Sequence, residues 1–175
     1  YEAGKVNRAA MSLLMANMRI PDEREGDLNA SLGACRVAST RLEKLYEKYG
    51  EHTVEAGVAV HLDRPERRLR ENIALLPDGD YYYEDYLEFY NDGQLDPVLV
   101  RFKLTVSGDH LIADFAGTNT QVPGVVNSSL AVAGAGVFVA VKSTLDPGGA
   151  MNHGAFRPIE LRAPEGSVVD VRDDA

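Results

Sequence analysis

Val98-Leu99-Val100-Arg101-Phe102-Lys103-Leu104-Thr105-Val106 alternates apolar and polar residues from Val100 onward, the period of a strand with one buried face. Ser107-Gly108-Asp109 makes a tight connection, and His110 to Phe115 continues as the partner strand of a hairpin. Upstream, Tyr81 to Phe89 carries Tyr82, Tyr83, Tyr86 and Phe89 and is followed by the turn signal Asn91-Asp92-Gly93. Downstream, Val125 to Leu145 is small and apolar and predicts a buried helix near 127–145, after which strands are expected at Pro158–Arg162 and Ser167–Val171.

Before this β-rich part the pattern is helical. Lys5 to Met18 contains no proline, and Ile20-Pro21 ends it because a residue before proline is pushed out of the α region. A second helix carries Leu28, Leu32, Cys35, Leu42, Leu45 and Tyr49 on one stripe, with Asp27 as its N-cap and Gly50 as its stop. A third stretch runs from His52 to about Val60. Asp63-Arg64-Pro65-Glu66 reads as a capping box that restarts a helix, which continues until Pro77-Asp78-Gly79. The expectation is an α+β fold, N-terminal helices packed on a mainly antiparallel sheet, organised as one partial domain over 1–175 with a helical part (1–77) and a β-rich part (78–175).

The 175 residues are 45% apolar, enough to bury a core. Eighteen Lys and Arg stand against 27 Asp and Glu, a net charge of −9 that argues against nucleic acid and against an anionic membrane surface. One cysteine, Cys35, excludes an internal disulfide and is expected to be a small buried hydrophobe. The longest apolar run, Leu130 to Val141, is too short for a span of ~20 residues, so a soluble, cytoplasmic protein is expected. The chain opens without Met and stops just after an apparent strand, so it reads as a piece of something longer, exposing apolar surface and prone to self-associate.

Familiar chemistry is scarce. His52, His61, His110 and His153 form no metal-ligand spacing, no GxSxG elbow occurs, and Gly134-Ala135-Gly136 falls inside an apolar helix instead of at a strand-to-helix turn. No metal ligands are assigned. The basic run Arg64, Arg67, Arg68, Arg70 is interleaved with Glu66 and Glu71, as on a solvated helix face. The segment with functional texture is Asp114-Phe115-Ala116-Gly117-Thr118-Asn119-Thr120-Gln121-Val122-Pro123-Gly124-Val125-Val126-Asn127. An acid at the end of an apolar strand opens a loop of hydroxyls and amides that leads to a helix start, a setting for a small polar or anionic ligand. The same residues could equally satisfy turn and cap groups. Asn152-His153-Gly154-Ala155-Phe156-Arg157-Pro158 offers the same two readings.

Asn17-Met18-Arg19-Ile20-Pro21-Asp22-Glu23-Arg24-Glu25-Gly26-Asp27-Leu28 resembles the NxRxPxxxxGDL signature of the hydantoinase B/oxoprolinase family. Leu76-Pro77-Asp78-Gly79, the Asp114–Asn127 segment, and Asn152 to Ile159 with Pro164-Glu165-Gly166-Ser167 keep that family's order and approximate spacing. The resemblance covers nearly the whole chain. It implies a B-type subunit of an ATP-dependent amide-ring hydrolase of hydantoin or 5-oxoproline type, inactive alone and acting on a small cyclic amide in an oligomer. It implies an A-type partner that binds ATP and phosphorylates the substrate carbonyl. ATP and a divalent metal belong to the complete enzyme, the metal on a His/Asp cluster before Tyr1, and no cofactor is expected in this chain. An acetone carboxylase type α subunit and a non-catalytic docking scaffold for the A-type partner are the alternatives. Asp114 is nominated as the catalytic residue that orients ligand or water, with Thr118, Gln121, Asn127 and Asn152 as substrate-binding positions. Arg19 and Asp27 are expected to pair across a turn.

Overall fold

A computed structural model describes residues 4–91 and 93–172 of the chain. Asp92 of the expected Asn91-Asp92-Gly93 turn and the two chain ends lie outside the described residues. The chain divides between Gly57 and Val58 into two compact units.

The first unit is helical. α1 (Arg8–Ala16) is capped by Asn7, whose side chain accepts from the Ala10 N–H at 3.0 Å. α2 (Pro21–Tyr49) starts six residues before the expected Asp27, because Pro21 takes the first helical position and Asp22 and Glu23 complement the helix N-terminus. Asp27 is therefore inside the helix, where it pairs with Arg24 at 2.9 Å instead of with Arg19. Gly50 ends the helix at φ +77, as expected of a glycine stop. α2 has no buried residue: Leu42, Leu45 and Tyr49 are exposed, and so is Cys35, against the expectation of a buried thiol.

α3 (Glu51–Ile73) runs unbroken through Pro65, so the restart expected at Asp63 does not occur. From Val58 on, its residues belong to the second unit. Strands β1 (Gly79–Leu87), β2 (Tyr90–Asn91), β3 (Gln94–Leu95), β4 (Val98–Ser107) and β5 (His110–Asp114) follow. α4 (Leu130–Leu145), α5 (His153–Phe156) and β6 (Ile159–Arg162) complete the order. The main sheet has the order β1-β4-β5-β6, antiparallel except for the β5–β6 pair, and β2 pairs with β3 apart from it. This is the mainly antiparallel α+β arrangement read from the sequence. Ser167–Val171 is not a strand; it turns back on itself through isolated bridges from Ser167 to Thr120 and Asp170. Ser167 through Asp170 are all buried, so the apolar content of this stretch reflects burial and not strand pairing.

One sheet face makes the core. Val98, Val106, Leu111, Ala113 and Ile159 are buried together with Leu69 and Ile73 of α3, Val137 of α4, and Phe115, Val168 and Val169. α4 begins at Leu130 and is buried along one side only: Gly134 and Val137 face inward, while Val132 and Val139 are exposed. Its end is anchored to α3. Lys142 Nζ reaches Asp146 Oδ2 at 2.8 Å, Arg68 Nε lies 2.7 Å from Asp146 Oδ1, and the Asn72 side chain donates to the Leu145 carbonyl.

Candidate functional site

The other face of the sheet is polar, and its register builds the site. Tyr82 of β1 stands opposite Lys103 of β4, Lys103 opposite Asp114 of β5, and Asp114 opposite Arg162 of β6. Cross-strand neighbours on one face lie close enough to interact, so these four side chains form one row across all four strands. The next row toward the β5 end sets Glu84 opposite Arg101, paired at 3.1 Å. Across the strands, cation and carboxylate alternate from Lys103 through Asp114 to Arg162. Tyr82, Tyr83, Glu84, Arg101, Phe102, Lys103, Asp114 and Ala116 line a cleft of about 550 Å³ over this floor.

Asp114 is half-buried and closes an Asx turn, its Oδ1 accepting from the Ala116 N–H at 2.9 Å. Two cations flank it across the sheet. Arg162 donates to Glu160 at 2.7 Å; that bond, with a smaller contribution from Asp114, raises the guanidinium above its ordinary range. In the row beyond, the Thr105 hydroxyl bond holds the Asp80 carboxyl below the usual range, and the nearby Lys103 charge adds to it.

The remaining nominated residues are placed on backbone groups. Thr118 is buried, and its Oγ1 accepts from the Arg101 N–H at 3.0 Å and donates to the Arg101 carbonyl at 3.1 Å. Gln121 Oε1 accepts from the Arg172 N–H. Asn127 clamps its own loop, accepting from the Val122 N–H and donating to the carbonyls of Val122 and Gly124. Asn152 caps α5 through Ala155 and donates to the His61 carbonyl of α3. The structure thus joins Asp114 and, through Arg101, Thr118 at one cleft, and leaves Gln121, Asn127 and Asn152 out of its lining. Tyr82, Glu84, Arg101, Lys103 and Arg162 were not nominated from the sequence. The hairpin did carry the signal for Lys103, because a Ser107-Gly108-Asp109 turn sets it opposite Asp114.

Among the described residues, no group of three or more His, Cys, Asp or Glu could hold a metal ion. The described residues do not fit the divalent metal that the family resemblance implies for the complete enzyme. Among the described residues, too, no helix is long and apolar enough to cross a membrane.

Residues 1–175 match the family model described as Hydantoinase B/oxoprolinase. A Pseudomonas sp. protein provisionally named as the B component of a D-/L-hydantoinase is 31% identical over 96% of this chain, and the beta chain of caprolactamase from Pseudomonas jessenii is 28% identical over 100%. The crystal structure of ATP-dependent caprolactamase from Pseudomonas jessenii shares the fold over 99% of the chain, with a TM-score of 0.83 and 27% identity. In each comparison the chain spans 30% of the length of the protein it matches.

Proposed function

The chain belongs to the hydantoinase B/oxoprolinase family, and on that footing we propose that its cleft holds a small cyclic amide within a B-type subunit while an ATP-binding A-type partner supplies the phosphoryl chemistry. ATP, and the divalent metal of the complete enzyme, are held outside this chain. The caprolactamase likeness supports this reading, since that relative is named as one subunit of its enzyme and as ATP-dependent.

The observation that carries it is the pairing of Lys103 with Asp114 on the cleft floor. A ring amide offers one acceptor and, when unsubstituted on nitrogen, one donor. The ammonium of Lys103 meets the carbonyl oxygen, and the carboxylate of Asp114 meets the N–H or a water held beside the carbonyl carbon. The ring of Tyr82, on the same sheet face, gives the ring methylenes an apolar wall. With water in place, Asp114 takes its proton as the water oxygen bonds to the carbonyl carbon, and the cations stabilise charge on the substrate oxygen. The ring C–N bond then breaks as the leaving nitrogen takes that proton from Asp114.

The test is Asp114→Asn in the complete two-component complex, assayed for ATP-dependent opening of caprolactam, 5-oxoproline and hydantoin. Turnover is expected to fall by about a hundredfold with assembly intact. A fall of less than about tenfold overturns the catalytic reading and favours a docking scaffold, and bicarbonate-dependent consumption of a ketone assigns the complex to the carboxylase branch.

A further inference from the structure

We propose that Arg101 is a second substrate-recognition residue of this cleft, a donor to the ligand's oxygen, and that Thr118, with Gly117, is the positioning residue that presents it. The inference rests on the reading of the cleft as a cyclic amide site.

β5 ends at Asp114, opposite Lys103, so on that side β4 runs on past Arg101 and Leu99 with no partner strand. The loop after β5 takes over the ladder. The Asn119 N–H donates to the Leu99 carbonyl at 3.0 Å, and the Thr118 hydroxyl serves both backbone groups of Arg101. One side chain thus replaces a strand residue, and it fixes β4 at the position from which the Arg101 side chain leaves.

Gly117 makes the second contact. Its φ of +86 suits glycine, and a Cβ there would lie 3.0 Å from Arg101 Cδ. The arginine stem is therefore laid across the glycine, which directs the guanidinium to Glu84 at the cleft wall. Glu84 takes the Nε–H, and the terminal amino groups hold the remaining donors of the planar fork. Arg101 is 54% exposed and open to a ligand, whereas Thr118 is 9% exposed and spends its hydroxyl on the backbone. Thr118 acts through Arg101.

The complete two-component complex carrying Arg101→Met, Thr118→Val, Thr118→Ser, or Arg101→Met with Thr118→Val tests this, with kcat, KM and thermal unfolding measured for each. Arg101→Met is expected to raise KM for the lactam about tenfold and to change kcat less than threefold, the mark of lost binding common to ground and transition states. Thr118→Val is expected to raise KM in the same direction, Thr118→Ser to restore it, and the double variant to be no worse than Arg101→Met alone. Additive KM effects, an unchanged KM in Arg101→Met, or a Thr118→Val effect confined to thermal unfolding would overturn the proposal. Should Asp114→Asn abolish turnover while Arg101→Met leaves KM untouched, only this inference fails; should Asp114→Asn have no effect, the cyclic amide reading itself fails.

Discussion

Asn152 donates its side-chain amide, at 3.0 Å, to the main-chain carbonyl of His61, the one carbonyl of α3 that Pro65 leaves without its helical donor. Proline inside a helix normally costs ~3 kcal/mol, partly through that missing bond. Here a residue 91 positions away supplies it. Replacing Asn152 by Asp keeps the oxygen that caps Ala155 and removes the donor, so unfolding free energy should drop by about 1–3 kcal/mol. In a Pro65→Ala background residue 65 has an N–H of its own, and denaturant titrations should show the Asn152→Asp penalty cut by at least half. An equal penalty in both backgrounds would refute the link.

The same turn meets α3 at Gly154, where a Cβ would fall 1.9 Å from the Leu62 carbonyl oxygen. Gly154→Ala must push α5 off the helix and should cost about 2–3 kcal/mol. Gly136, in α4, has nothing within 4 Å of the corresponding position, so Gly136→Ala should stabilise by about 0.5–1 kcal/mol through helix propensity. Thermal unfolding of the two variants should move the midpoint in opposite directions.

Glu66 binds the turn from the α3 side. Its Oε2 accepts from Arg157 at 2.9 Å and its Oε1 from Arg70, and these bonds, Arg157 first, hold the carboxyl below its ordinary value of 4.5. The folded chain therefore releases this proton more readily than the unfolded chain. The resulting stabilisation is complete above about pH 4.5 and is lost as pH falls through the lower folded value. Unfolding titrations from pH 7 to 3 should show the stability gap between the unmodified chain and Glu66→Gln shrinking across that lower window. A gap constant with pH would exclude the titration of Glu66 as its source.

The legible parts of the fold were those whose signals are local. Ser107-Gly108-Asp109 between alternating runs specifies the β4–β5 hairpin, and Gly50 stops α2 where expected. Asp114 stood out because an ionisable group closes an apolar strand at the mouth of a polar loop. Pro65 misled because a local pattern cannot contain Asn152, the remote group that makes an unbroken α3 tolerable. The stripe of α2 was read as buried because periodicity reports a common side of a helix and is silent on what covers it. Arg162 joined the site only through parallel pairing of β6 with β5, a register that no neighbouring residues encode. Thr118 was noticed for its hydroxyl, yet its partner proved to be the backbone of a strand already passed.

That parallel pairing also dictates the order in which the site can come into being. Asp114 and Arg162 are about fifty positions apart, and a parallel crossover must be closed before they meet, whereas Lys103 and Asp114 join across a hairpin. On a ribosome the cleft floor stays incomplete until β6 has left the exit tunnel, so a nascent chain carries a half-built charge row and acquires the finished one only when synthesis has passed it by.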